Sequence, residues 1–186
     1  MHEPPAPLPE LSRIVLRPVG IIHNTVQEPF LVADGDGISM RGEADVNRAR
    51  IRSAREDISE ITLRDDVSRA LEGIEEYSHL MVLYWGHKVP EESRALTRVH
   101  PMGRKDIPAT GLFSTCSPAR PNPVLVTVVR LHAHRRNVLE VSGLDAVDGS
   151  PVIDIKPYVP AQFPQEAVRV PVWMDRLMKE VGERRG

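Results

Sequence analysis

Between residues 13 and 156 the chain carries seven short runs rich in Val, Ile, Leu, Thr or Tyr, each closed off by Gly, Pro, Asn or Asp, with almost no helical sequence between them. Runs of this kind read as strands, here at 13–24, 58–63, 78–86, 111–115, 124–133, 138–144 and 152–156. Strands that do not alternate with helices argue against a parallel sheet of βαβ units, and no internal repeat is visible. The expected fold is mainly β, an antiparallel β-barrel with a few peripheral helices. Only two segments have helical spacing. Val67, Ala70, Leu71 and Ile74, after an Asp65 or Asp66 cap, predict a helix over 65–74, and Met174, Leu177, Met178 and Val181 predict one over 172–184. The charged, apolar-poor stretch from Gly35 to Glu56 reads as a long loop with room for a helix at 43–55.

A length of 186 residues suits one domain. Residues 1–10, with Pro4, Pro5, Pro7 and Pro9, read as a disordered lead-in, and 11–186 as a single barrel domain closed by the C-terminal helix. One cysteine, Cys116, excludes an internal disulfide and a cysteine-based zinc ribbon, and fits a reducing compartment. The longest apolar run, around Met81–Trp85, is far short of the roughly 20 residues of a membrane helix. The opening MHEPPAPLPE has no signal-peptide pattern. A soluble, cytoplasmic protein without membrane contact is expected. A formal charge of -2 argues against non-specific binding of long nucleic acid. Two local arginine clusters, Arg48, Arg50, Arg52 and Arg55 in one stretch and Arg130, Arg135 and Arg136 in another, read first as solvated faces.

The chain lacks G-x-G-x-x-G, G-x-x-x-x-G-K-[ST], H-E-x-x-H and G-x-S-x-G, and so the usual signatures of nucleotide, metalloprotease and esterase sites. His132 and His134, two apart on an expected strand, fall on one face as two metal ligands could. No acidic motif converges on them, and no metal is expected. The informative region is 111–160. In Ser117–Pro123, SPARPNP, three prolines fix φ and remove three amide donors, so the segment must be a rigid loop presenting Arg120 and Asn122. A stiff loop suits a binding site, and equally suits a plain turn. After the Asp148-Gly149-Ser150-Pro151 turn signal, period-two alternation places Ile153 and Ile155 on one side and Asp154, Lys156 and Tyr158 on the other.

Four segments, PVGIIHNTV (18–26), LEGIEEYSHLMVLYW (71–85), TGLFSTCSPARPNPVLVTVV (110–129) and LDAVDGSPVIDIKPYVP (144–160), together resemble the TrmO family, also called TsaA-like or YaeB-like proteins. The resemblance runs in order over roughly 13–160. It implies an S-adenosyl-L-methionine-dependent methyltransferase built on a β-barrel, acting as a homodimer on the N6 nitrogen of threonylcarbamoyladenosine next to the anticodon in tRNA. Carried over by position, it implies cofactor contacts from Asn24, Thr25 and Val26, from Ser78 and His79, from Cys116 and Val126, and from the turn Leu144 to Val152, including Asp148, Gly149, Ser150 and Pro151. Pro118 and Arg120 fall in the same motifs on the cofactor side. Arg120, Asn122 and Lys156 are the implied substrate contacts. The chain departs from the family pattern at Cys116, where an arginine is usual, and at Val124-Leu125, where Ile-Gly is usual. It also ends soon after the core, where longer members carry a further domain.

A sulfonium methyl is already activated, so the protein's main task is to align donor and acceptor and to exclude water. The acceptor nitrogen is weakly nucleophilic, and a group that takes its proton would help. Asp154, Tyr158 and His79 are the candidates within the motifs. Two other readings stand beside this one: a methyltransferase of the same fold with a different acceptor, and a non-catalytic protein that binds the cofactor or a metal.

Overall fold

The computed structural model describes residues 14–29, 31–34, 37–40 and 56–182. The lead-in at 1–10 and the helix expected at 43–55 lie outside the described residues. Six strands close into an antiparallel barrel: β1 (Gly20–His23), β4 (Ser59–Leu63), β5 (His79–Trp85), β8 (Val124–Arg135), β9 (Val138–Ser142) and β10 (Pro151–Pro157), in the order β1-β10-β5-β8-β9-β4. The sequence-based expectation of a mainly β, antiparallel barrel is what the chain forms.

Alternation builds the core. Along β5 the inward residues Leu80, Val82 and Tyr84 are buried while the intervening ones are only partly covered. Ile22, Ile61, Val129, Leu139, Val141, Leu144 and Val152 complete the interior. At the seam where β1 meets β4 the two backbones lie so close that a Cβ on Gly20 would sit 2.5 Å from the Thr62 carbonyl oxygen. Only a residue without a side chain fits there. A smaller cluster, Val99, Leu112 and Ala119, fills the excursion between β5 and β8, which also holds the two-residue strands β6 (Arg98–Val99) and β7 (Thr110–Gly111).

Several local expectations are corrected. The strand expected at 13–24 is paired only over Gly20–His23. Ile14, Val15 and Leu16 are exposed, and Pro18 offers no amide to a ladder. The strand expected at 111–115 is instead the end of β7 followed by a 3-10 turn, Leu112–Ser114. The helix expected at 65–74 is two 3-10 turns, Asp65–Leu71 and Ile74–Glu76, parted by Gly73 at φ 83°, a left-handed conformation no helix continues through. Within 35–56, read as a loop, Gly37–Met40 forms β3 and pairs with β2 (Leu31–Asp34). Ile153 and Ile155 do not share a face as expected. A register shift between Val152 and Asp154 breaks the alternation, so that Val152 is core and Ile155, three residues on, packs against the core as well. The C-terminal helix does form, as α1 (Val172–Gly182). Among the described residues no helix is long and apolar enough to cross a membrane.

Candidate functional site

At one end of the barrel the chain leaving β1 is tied to the segment between β9 and β10. The Asn24 amide donates to Asp148 Oδ1 at 3.0 Å, its Nδ2 donates to the Ala146 carbonyl at 2.9 Å, and its Oδ1 accepts the Val26 amide at 3.0 Å. In return the Asp148 amide donates to the Val26 carbonyl at 2.7 Å and the Gly149 amide to the Ile22 carbonyl at 2.8 Å. One asparagine side chain thus does the work of a turn and an inter-loop clamp. Gly149, at φ 77°, completes the turn, and the place its Cβ would occupy lies 4.0 Å from His87 Nε2. The sequence-chosen residues Asn24, Thr25, Val26, Leu144, Asp148, Gly149, Ser150, Pro151 and Val152 are therefore brought together, with Thr25 exposed between its clamped neighbours.

Sequence reasoning missed one contributor here and covered a second only as part of the 144–152 turn. His87 follows the end of β5, and its Nδ1 lies 3.2 Å from the Ser150 hydroxyl. Partial burial, helped by the Lys88 cation and opposed by the Asp148 carboxylate, holds its pKa below the ordinary histidine value. The second is Asp145, whose Oδ1 accepts the hydroxyls of Tyr84 at 3.1 Å and Thr127 at 3.0 Å. The available signal was position: both residues sit at the C-terminal end of a strand or in the turn after one, where loops carry function.

The 115–123 loop arrives at this same end, since the Gly86 amide donates to the Pro123 carbonyl at 2.8 Å. Cys116 is exposed and Asn122 accepts the Val124 amide through its backbone carbonyl at 2.7 Å. Pro118 is partly covered within the loop. Arg120 turns inward on the loop itself: Nε donates to the Ser117 carbonyl at 2.9 Å and Nη2 to the Thr115 carbonyl at 2.6 Å, with the guanidinium 5.9 Å from the Phe113 ring centre. Val126 points out of the barrel from β8 and is 59% exposed.

The remaining sequence-chosen residues lie elsewhere. His79 opens β5, six residues before Trp85, which places it about 20 Å along the strand from the clamped loops. Ser78 bonds the His79 ring, Oγ to Nδ1, at 2.9 Å. Tyr158 follows them, its amide donating to the His79 carbonyl at 3.0 Å and its ring stacked on Phe163 with centroids 5.0 Å apart. Asp154 and Lys156 form an ion pair at 2.7 Å, with Asp154 Oδ1 also accepting the Ile155 amide at 2.9 Å. His132 and His134 separate: His132 meets Ser142 at 2.8 Å, and His134 meets the Arg136 carbonyl at 2.8 Å and Glu75 at 3.3 Å. A register shift between Leu131 and Ala133 runs through that stretch. Among the described residues no three potential metal ligands come together.

Asp145 and Asp148 give the clamped loops an acidic character. The nearby Lys88 ammonium is turned to the Gln27 carbonyl at 2.6 Å and to Glu28 at 3.7 Å. Carboxylates held in place by hydroxyl and amide donors, beside a histidine biased toward neutrality, suit a ligand carrying positive charge.

Comparison with known proteins is consistent along most of the chain. The family model described as tRNA-methyltransferase O N-terminal domain matches residues 48–162. A protein named probable S-adenosyl-L-methionine-binding protein from Methanothermobacter thermautotrophicus is 42% identical over 145 residues, covering 78% of this chain and 90% of its own length. One named S-adenosyl-L-methionine-binding protein from Archaeoglobus fulgidus is 39% identical over 148 residues, covering 79% and 91%. Among solved structures, TrmO from Pseudomonas aeruginosa superposes with a TM-score of 0.61 at 29% identity, covering 88% of this chain and 64% of that one.

Proposed function

Because the chain belongs to the tRNA-methyltransferase O N-terminal domain family, we propose that it binds S-adenosyl-L-methionine in the clamped loops and transfers its methyl group to the N6 nitrogen of threonylcarbamoyladenosine in tRNA, in the cytoplasm. The observation that carries the reading is the mutual clamp between Asn24–Val26 and Ala146–Gly149, which preorganises an acidic, glycine-opened turn. The donor set fits: the ligand is net cationic, and Asp145 and Asp148 are already oriented by their own hydrogen bonds. When bound, the ligand supplies an activated methyl on sulfur, so no residue has to act as a nucleophile. Asn24 and Asp148 fix the loops, and His87 steadies Ser150. Asp154, Tyr158 and His79 remain the candidates to accept the acceptor's proton. Asp154 is paired with Lys156, and His79 with Ser78, so each of these polar groups is held in a defined orientation.

The spread of these residues supports a homodimer. Within one chain the clamped loops and the Ser78–His79–Tyr158 group stand at opposite ends of β5, and an enclosed site using both needs a second copy. The outer face of β5 and β8 offers the surface, with Val126 59% and Val128 41% exposed beside Leu83 and Met81. Cys116 in place of the family's arginine removes a fixed cation beside the cofactor, so either the pocket is rebuilt or the second reading, a different acceptor, holds.

Calorimetric titration of the purified chain with S-adenosyl-L-methionine tests the first step, and saturable binding is expected. Transfer of labelled methyl to tRNA bearing threonylcarbamoyladenosine, and none to tRNA lacking it, tests the acceptor. Absence of binding overturns the reading as a whole, and binding without transfer to that tRNA overturns only the acceptor. Sedimentation at micromolar concentration should give a dimer of the 20.8 kDa chain. A monomer there refutes the two-copy site.

A further inference from the structure

Two hydroxyls from adjacent strands reach one carboxylate oxygen at the mouth of the barrel. Tyr84, 4% exposed, comes from β5 and Thr127 from β8, and they also lie 3.5 Å from each other. The neighbouring inward positions on these strands, Leu80, Val82 and Val129, are fully buried hydrocarbon. Polar groups in such a wall are costly unless something with a matching acceptor is fixed there, and the Asp145 carboxylate supplies it. Asp145 stands between buried Leu144 and Ala146, in the segment whose Ala146 carbonyl and Asp148 carboxylate hold Asn24. Three residues beyond Tyr84, His87 meets Ser150 at the far end of that same segment. β5 and the turn that follows it thus grip the 144–150 segment near both ends.

We propose that Tyr84 and Thr127 are positioning residues, whose hydroxyls orient the Asp145 carboxylate and so set the shape of the 144–150 segment for S-adenosyl-L-methionine. This rests on the reading that the clamped loops hold that ligand. Two donors on one oxygen restrict rotation of the carboxylate, so its negative charge is aimed before the ligand arrives, and less order has to be imposed on binding. Without them the carboxylate loses two of the donors that fix its direction, and a cationic ligand meets a less aligned charge.

The test compares the full wild-type chain with Tyr84→Phe, Thr127→Val, Thr127→Ser and Val129→Ala, measuring calorimetric Kd for S-adenosyl-L-methionine together with thermal stability. Tyr84→Phe and Thr127→Val should each raise Kd by about 10-fold or more, the scale of one hydrogen bond to a charged group. Thr127→Ser, which keeps a hydroxyl, should restore binding to within about 3-fold of wild type. Val129→Ala, a cavity in the same wall, should lower the melting temperature and leave Kd nearly unchanged. Hydroxyl deletions that bind like wild type overturn the assignment. So do affinity losses matched by an equally destabilised Val129→Ala. A wild-type chain that binds no ligand overturns the functional reading and this assignment with it, whereas a binding wild type with indifferent variants overturns the assignment alone. Should Tyr84→Phe fail to fold, the Thr127 pair still decides.

Discussion

Arg120 Nη2 donates to the Thr115 carbonyl at 2.6 Å, and the same guanidinium's Nε reaches the Ser117 carbonyl at 2.9 Å, so this side chain straddles Cys116 and closes its own loop. In a segment where three prolines remove amide donors, a side chain takes over the task of cross-linking the backbone. Arg120→Ala should therefore lower stability by about 1–3 kcal/mol, the range for bonds from a charged donor to partly buried carbonyls. The folded fraction should keep its affinity for S-adenosyl-L-methionine to within about 2-fold, a change below about 0.5 kcal/mol. Urea denaturation paired with calorimetric titration checks both, and a large loss of affinity at unchanged stability would place the guanidinium on the ligand instead.

Gly20 faces a backbone that cannot move aside without opening the barrel. The position of its absent Cβ is 2.5 Å from the Thr62 oxygen and 3.1 Å from Leu63 Cα. Gly20→Ala should cost about 2 kcal/mol or more, as overpacking against backbone at the β1–β4 seam. Chemical denaturation should show a lower midpoint, and amide exchange should show the β1 and β4 amides losing protection first. An unchanged midpoint would mean that the β1–β4 seam can open to admit a methyl group.

His87 gives stability an acid limb. Its folded-state pKa lies below the ordinary histidine value of 6.5, because burial and Lys88 disfavour the charged ring. Just below pH 6.5 the unfolded chain therefore binds more protons than the folded one, and stability falls as pH drops from there through the folded value. The melting temperature should decline as pH falls below about 6.5 in wild type, and less steeply in His87→Asn. Parallel pH profiles for the two proteins would remove His87 from this role.

The C-terminal helix is held by charge. Arg104 bonds Asp106 through Nε at 3.0 Å and Nη2 at 2.6 Å and reaches Glu180 on α1 through Nη1, while Arg176 bonds Glu180 at 2.9 Å. Leu177 adds the one buried side chain among the helix positions whose burial is described. The arginine partners hold the Asp106 and Glu180 carboxyls below their ordinary values. Their contribution is present above the ordinary carboxylate range and is lost as pH falls below about 4. Arg104→Ala should speed amide exchange throughout 172–182 at neutral pH. High salt, with a Debye length near 3 Å at about 1 M, should do part of the same to wild type. Unaltered exchange in α1 would show that Leu177 suffices.

The strands were legible in the sequence because a short run of Val, Ile, Leu, Thr or Tyr between turn residues is a local property. The runs at 78–86 and 138–144 announce strands with no knowledge of their neighbours, but since 80–85 is apolar at every position, only the closed barrel decides that Leu80, Val82 and Tyr84 point inward. The SPARPNP loop was legible for the same reason, since proline acts on its own φ and its own amide. Tertiary structure decided what depends on closure and register. Ile14 to Leu16 have strand composition, yet the barrel has no ladder for them. Gly73 splits a helical pattern because left-handed backbone is needed there, and the shift after Val152 parts Ile153 from Ile155 while Asp154 and Lys156 keep the face that period two gives them. The site divides in the same way. Asn24 and the 144–150 turn could be chosen from motifs, but that Asn24 clamps Ala146 and Asp148, more than 120 residues away, follows only from β1 pairing with β10. His87 became visible only when β5 delivered it to that turn, and the role of Asp145, inside the turn, only when Tyr84 and Thr127 were seen to reach it. His79 and Tyr158, chosen from the same motifs, lie at the other end of β5, because a strand carries its two ends about 20 Å apart however close they stand in sequence.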